Sequence, residues 1–240
     1  MKLKIFIIIV LLFLFHCLKF KENPLDPTTP LGYYLTYILN KDQNKDSSND
    51  SSASSYVLDK IIMFKTSSTY DGDLDTNNDG NARPEIDAIC ATEFNTIKST
   101  YPGNYEYMQH IRAFISINST DQIANFPSLY GVPTNVPILG PDPSNPYRLI
   151  ANDWNDLWTE DSGGIYIKNS LNDAIGLSFS WWSGSYADGT LNSDNCQNWS
   201  NNSNSYNGAI GEPSSTNAYW INYSTSNSCD SLSNLLCIAW

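Results

Sequence analysis

The densest run of oxygen ligands in the chain is Asp71-Gly-Asp73-Leu-Asp75-Thr-Asn77-Asn-Asp79-Gly80. Calcium takes six or more oxygens, and acidic side chains at alternate positions on a tight turn can converge on one ion. Asp75, Asn77 and Asp79-Gly80 match the opening of a calcium loop, with Asp73 as a further candidate ligand. The match fails further on. The twelfth position from Asp75 is Ile86, where a bidentate Glu is needed, although Glu85 and Asp87 flank it. The plainer reading is an acidic surface loop in which Gly72 and Gly80 supply positive φ. No other cofactor is suggested by the residues.

Catalytic chemistry has little material. The chain has two histidines, His16 and His110. A Ser-His-Asp or Cys-His arrangement would need His110 as its base, and the plainer place for His110 is the outer face of a strand. Twenty-five acidic residues always offer carboxylate pairs, but a sequence cannot set two of them at glycosidase spacing. No Gly-rich phosphate loop is present. The expectation is a protein that is not an enzyme.

The composition narrows the partners. Net charge is −12, hydrophobic residues make up 41% and charged residues 16%. Asn and Ser supply about a quarter of the chain, well above ordinary usage. Neutral amides and hydroxyls, more than ions, keep this surface wet. Nucleic acid is not expected as a partner, because neutralising phosphates needs clustered Lys and Arg. Fifteen tyrosines and seven tryptophans remain. Trp182, Trp199 and Trp240 read as core, while Tyr186, Tyr206, Tyr219 and Trp220 lie nearer loops, where exposed aromatics suit contact with proteins or glycans.

These side chains need positioning elements. Lys2 and Lys4 precede the apolar run 5–15, which is too short to span a bilayer and reads as a signal peptide. Leu14-Phe-His16-Cys17 fits a relaxed lipobox with Cys17 as the lipid-bearing residue, His16 being an unusual neighbour. Residues 1–16 are thus expected to be a lipoprotein signal, and 17–55 a lipidated tether with a Ser/Asn/Asp-rich disordered spacer. The folded domain is expected over 56–240. Cys90, Cys196, Cys229 and Cys237 remain as an even set, and disulfides persist in an exported domain. Spacing leaves all three connectivities open.

Strands are expected over 57–64, 110–117, 165–168, 175–182, 220–223 and 235–240. Pro84 to Lys98 reads as a helix with Ile86, Ile89, Cys90, Phe94 and Ile97 on one face. Asn152 or Asp153 can cap a short helix holding Trp154 and Trp158. The pattern is α+β.

The cysteine neighbourhoods carry a resemblance. Trp182-x-Gly184-Ser185, Cys196-x-x-Trp199, Ser228-Cys229 and Leu235-Leu236-Cys237-Ile238 occur in that order. Ile111-Arg112-Ala113-Phe114-Ile115-Ser116, Val136-Pro137-Ile138 and Trp154-x-x-Leu157-Trp158 precede them. This set resembles the endostatin domain, a C-type-lectin-like fold. With the lipobox and Asn23-Pro24-Leu25-Asp26-Pro27, the chain is similar to the leptospiral endostatin-like surface lipoproteins. The resemblance implies a twisted antiparallel sheet, two or three short helices and long loops. It also implies nested disulfides, Cys90 with Cys237 and Cys196 with Cys229. The implied role is adhesion at a bacterial outer membrane. Its partners would be matrix proteins such as laminin or fibronectin, with complement factor H and plasminogen as further candidates. A carbohydrate-binding module and a structural envelope lipoprotein are the rivals.

Departures from the family matter too. No histidine lies between Cys17 and Met108, so endostatin's N-terminal zinc site is not expected. Heparin is not expected either, with Arg83, Arg112 and Arg148 the only arginines. Trp154-Asn155-Asp156 and Glu212-Pro213-Ser214 have the composition of the lectin sugar-and-calcium motifs, but their order is reversed and Ser214 replaces Asn. Both are read as coincidence.

Overall fold

Ile61-Ile-Met-Phe is apolar at every position, and an extended chain of that kind needs cover on both faces. A computed structural model, which describes residues 60–240, supplies it. The signal segment, Cys17, the spacer and the first residues of the expected domain lie outside the described residues. In chain order the elements are β1 (Ile61–Lys65), α1 (Arg83–Thr100), β2 (Ile111–Ala113), α2 (Phe126–Tyr130), β3 (Ile138–Leu139) and β4 (Leu149–Ala151). They continue with α3 (Leu171–Ile175), β5 (Trp181–Trp182), β6 (Asn207–Gly208), β7 (Ile210–Gly211), β8 (Asn227–Ser228) and β9 (Leu236–Ala239). The architecture is α+β.

The main sheet has the order β2-β9-β1-β3-β4, with β1 and β3 parallel and the other pairs antiparallel. Met63 stands opposite Ile238, and Phe64 opposite Cys237. Side chains alternate across a strand, so β1 and β9 each feed two apolar clusters. Ile62, Phe64, Cys237 and Ala239 enter one, with Cys90, Phe94, Trp182 and Trp199. Ile61, Met63, Leu236 and Ile238 enter the other, with Phe114, Trp154, Trp181 and Trp220.

Helix α1 starts with Pro84 and Glu85 in its first turn, where a missing N–H costs nothing and a negative charge meets the positive dipole end. Ile86, Cys90 and Phe94 form its buried stripe, and Ile89 and Ile97 pack partly buried beside it. At its first residue, Arg83 is buried and its guanidinium donors are engaged. Nε and Nη2 bind the two Asp121 carboxylate oxygens at 2.8 and 2.9 Å. Nη1 and Nη2 reach the carbonyls of Ala113 and Ile115 at 2.7 and 2.8 Å. Asp87 receives Arg83 Nη1 at 3.4 Å, Arg112 Nη1 at 2.9 Å and the Ala113 N–H at 2.8 Å. The rings of Phe126 and Tyr130 lie 5.2 and 5.8 Å from the Arg83 guanidinium. Burial pushes the Tyr130 phenol up to about 12, against the pull of Arg83, so that ring stays neutral.

Several sequence expectations need correcting. Residues 165–168 are not a strand: the N–H groups of Tyr166 and Ile167 both go to Thr216 O and that of Lys168 to Ile150 O, so no ladder forms. Within 175–182 only Trp181–Trp182 is strand, because Ser170 caps α3 and Gly176, at φ 65°, ends it. Residues 220–223 are not strand either. Asn217 caps a 3-10 turn at Ala218–Trp220. The strand expected over 110–117 is confined to β2, after which Ser116 N–H turns to Ser183 O. The short helix near Trp154 is a 3-10 turn, Asn155–Leu157, whose N–H groups meet the Asp153 carboxylate at 2.8 and 3.0 Å.

Candidate recognition surface

Two disulfides brace the frame. Cys90–Cys237 ties α1 to β9, with Cα atoms 5.6 Å apart. Cys196–Cys229 ties a turn at 196–199 to the end of β8, with Cα atoms 5.7 Å apart. That turn is left-handed: Cys196, Gln197, Asn198 and Trp199 have φ of 49°, 56°, 61° and 63°. For residues with a Cβ this conformation costs roughly 1–2 kcal/mol each, so tertiary ties must hold it. The Cys229 bridge is one. The Asn195 side chain accepts the Asn198 N–H at 3.1 Å, and Asn195 O accepts the Trp199 N–H at 2.8 Å. Trp199 O accepts from Leu74 and Asp75 at 2.8 and 2.9 Å, and its indole N–H donates to Ser116 O at 2.8 Å.

Gly72 is required by this packing and not by a positive φ, which of the two loop glycines Gly80 alone adopts. A Cβ there would stand 2.4 Å from Cys196 Sγ and 2.9 Å from Asn201 O. Gly72→Ala is expected to lower the unfolding free energy by about 1–3 kcal/mol through overpacking. Gly80→Ala meets open space and carries only the cost of φ 84°, about 1 kcal/mol. Urea titrations of both variants check this, and an equal loss at the two sites would contradict the steric cause.

Most of the exposed aromatic and aliphatic side chains lie outside the regular helices and strands of this frame. Phe179 and Leu232 are 67% and 63% exposed. Each lies two residues before its partner in the parallel bridge Trp181–Asn234, so they flank one short ladder. Tyr186 is exposed at the 185–191 hairpin and Tyr206 at the turn before β6. Tyr219 and Tyr223 meet edge to face with centroids 5.7 Å apart. Asn192 Nδ2 donates to Asn222 Oδ1 at 3.5 Å, and Ser226 Oγ to Asp194 Oδ2 at 2.5 Å, fastening the 210–228 segment to the 192–194 turn.

The charge is uneven. Residues 60–240 hold seven Lys and Arg against nineteen Asp and Glu, a difference of −12 that equals the net charge of the whole chain. From Asn169 to Trp240 there is no Lys, Arg or His, while Asp173, Asp188, Asp194, Glu212 and Asp230 are present. Partial burial acts to raise the pKa of Asp188, but the Thr190 hydroxyl and N–H, at 2.6 and 3.0 Å, hold it below the usual aspartate value. Residues 169–240 thus expose Tyr side chains on a stretch rich in Asn and Ser with a net negative charge. Tyrosine offers large rigid contact area at low entropic cost, and Ser and Asn offer adaptable hydrogen bonds.

The other candidate residues fall elsewhere. In the acidic loop, Asp75 is buried and its carboxylate accepts the N–H groups of Asp79 and Gly80 at 3.3 and 2.8 Å. Asn77 Oδ1 accepts the Asp79 N–H at 2.8 Å and Asp79 Oδ1 the Asn81 N–H at 2.9 Å. Asp73 pairs by its backbone with Ser200. These bonds close an acidic turn. Among the described residues, no group of three or more His, Cys, Asp or Glu side chains is arranged to hold a metal ion. His110 stacks on Trp240 with centroids 5.3 Å apart and exchanges backbone hydrogen bonds with it at 3.1 and 3.0 Å. Trp154 is buried, and Asp156 accepts from Asn152 at 2.6 Å and forms an ion pair with Lys168 at 3.7 Å. Glu212 Oε1 accepts the Ser214 hydroxyl at 2.7 Å. No helix among the described residues is long and apolar enough to cross a membrane.

No protein-family model matches this chain, and no curated protein matches it. Of the aromatics assigned to loops by sequence, Tyr186, Tyr206 and Tyr219 are exposed, whereas Trp220 is fully buried against Phe114, Trp158 and Trp181. Phe179, Tyr223 and Leu232 were not legible as surface residues. Phe179 lies within the strand expected over 175–182, and Tyr223 within the one expected over 220–223, while Leu232 precedes the strand expected over 235–240; all three fall outside the observed strands.

Proposed function

We propose that this chain is a lipid-anchored bacterial surface protein whose domain, residues 56–240, binds host macromolecules. Extracellular-matrix proteins such as laminin or fibronectin are the first candidates, followed by complement factor H and plasminogen. The anchor is Cys17 and the location the outer membrane. The fold is read as C-type-lectin-like, of the endostatin kind. Its support is the nested pairing of Cys90 with Cys237 and Cys196 with Cys229, together with the ordered motifs around them. No catalytic role is proposed, and calcium is not required by this reading.

One observation carries the recognition role: the exposed aromatics of residues 169–240, a stretch that contains carboxylates and no cations, on a disulfide-tied frame. Fold alone does not assign function, so the loops decide it. A negative surface favours basic patches on the partner, and the attraction should weaken as salt rises. The test is binding of the oxidised chain to immobilised laminin, fibronectin, factor H and plasminogen. At least one should bind, with affinity falling between about 0.05 and about 0.5 M salt as the Debye length shortens. Binding unchanged by salt would contradict the electrostatic part. Failure with all four, alongside selective binding on a glycan array, would favour the carbohydrate-binding alternative.

A further inference from the structure

We propose that Tyr219 and Tyr223 form a seat for the guanidinium or ammonium group of a basic protein segment. This deepens the recognition reading above and rests on it. The rings are 46% and 37% exposed and stand edge to face. Their backbone is already fixed. Asn217 Oδ1 accepts the Tyr219 N–H at 2.9 Å, Tyr219 O accepts the Glu212 N–H at 2.8 Å, and Ile210 O accepts the Tyr223 N–H at 2.8 Å. Between the two tyrosines, Trp220 and Ile221 are fully buried. A platform of this kind is preorganised, so binding orders little of it.

Charge chooses the occupant. The face of an aromatic ring attracts a cation within about 6 Å of its centroid. This chain makes such contacts in its first half, where Arg112 lies 4.7 Å from the Tyr130 centroid. The segment bearing Tyr219 and Tyr223 contributes no Lys, Arg or His of its own over residues 169–240, while Asp173, Asp188, Asp194, Glu212 and Asp230 lie on that stretch. Two exposed rings on a stretch that holds five carboxylates and no cations complement a cationic side chain and repel phosphate or sulfate groups.

The test uses the full oxidised chain with an arginine-rich peptide and its citrulline counterpart, which keeps the shape and lacks the charge. The arginine peptide should bind and the citrulline peptide should not. The double variant Tyr219→Ala/Tyr223→Ala should bind the arginine peptide about tenfold more weakly. Tyr219→Phe/Tyr223→Phe should stay within about twofold, since it keeps both rings. Neither variant changes the net charge, so general attraction to the acidic domain is the same in all three proteins. Unchanged binding by the alanine pair overturns the seat, and so does an equal loss in the phenylalanine pair. A tyrosine-dependent signal on neutral glycans with none on the peptide also overturns it. If wild type and alanine pair capture matrix proteins equally, the seat falls and the recognition role stands. If wild type captures none, the recognition role itself falls.

Discussion

Replacing Arg83 with methionine should destabilise the protein by about 3–5 kcal/mol, the range for removing one partner from a buried ion pair. The guanidinium is the only group joining α1 to Asp121 and to the carbonyls of Ala113 and Ile115 among the bonds described above. Methionine would leave the Asp121 carboxylate 14% exposed with its strongest partner gone. It would also leave two buried carbonyls short of a donor, a further cost for each. Arg112 is the internal comparison. It also binds Asp87, but its side chain is 37% exposed, so Arg112→Met should cost about 1 kcal/mol or less. Replacing Asp121 by leucine in the Arg83→Met background should restore part of the loss, since an apolar pair leaves no orphaned charge. Urea unfolding of the four proteins tests this. An Arg83→Met loss no greater than that of Arg112→Met would contradict the network's role.

The outer disulfide should have an effect of similar size. Cys90 and Cys237 close a sequence separation of 147 residues, and Cys196 and Cys229 one of 33. The loop-entropy model gives about 5 kcal/mol for the first and about 4 kcal/mol for the second, at the upper end of what disulfides deliver. Cys90→Ala/Cys237→Ala should therefore lower stability more than Cys196→Ala/Cys229→Ala. The inner pair should be distinguished by locality. Without its bridge the left-handed turn loses one of its ties, and amide hydrogen exchange should rise first at 196–200 and at Leu74 and Asp75, whose N–H groups bind Trp199 O. An outer-pair loss below about 2 kcal/mol would contradict the view that this bridge constrains the chain.

How much of this was legible depends on whether the signal is local. The β1 run is apolar at four successive positions and reads as a strand covered on both sides. Pro84 and the spacing of Ile86, Cys90 and Phe94 mark α1 without help from the rest of the chain. The disulfide pairing was not legible from spacing and came with the family resemblance alone. Helix α3 had a local signal, Ser170 three residues before Asp173 and Gly176 at the end, but the apolar run from Ile175 to Trp182 reads as strand and outweighs it. The left-handed turn had no local signal. None of its four residues is Gly, and its conformation is fixed by a cysteine, an indole and a carbonyl that meet distant partners. Trp220 reads as a loop residue because Asn217 and Tyr219 flank it, yet a 3-10 turn rotates it into the aromatic cluster. The exposure of Phe179 and Leu232 depends on where two short strands start, which is the least local information in a sequence.

Recognition of another macromolecule by the disulfide-braced domain is the proposal on which the rest depends. Its most direct test is capture from serum and matrix extract by the oxidised chain, with a reduced and alkylated copy as control and mass spectrometry to identify what is held. The expected result is one matrix or complement protein enriched by the oxidised form alone and released as salt rises. Enrichment by neither form, or equally by both, would contradict fold-dependent recognition.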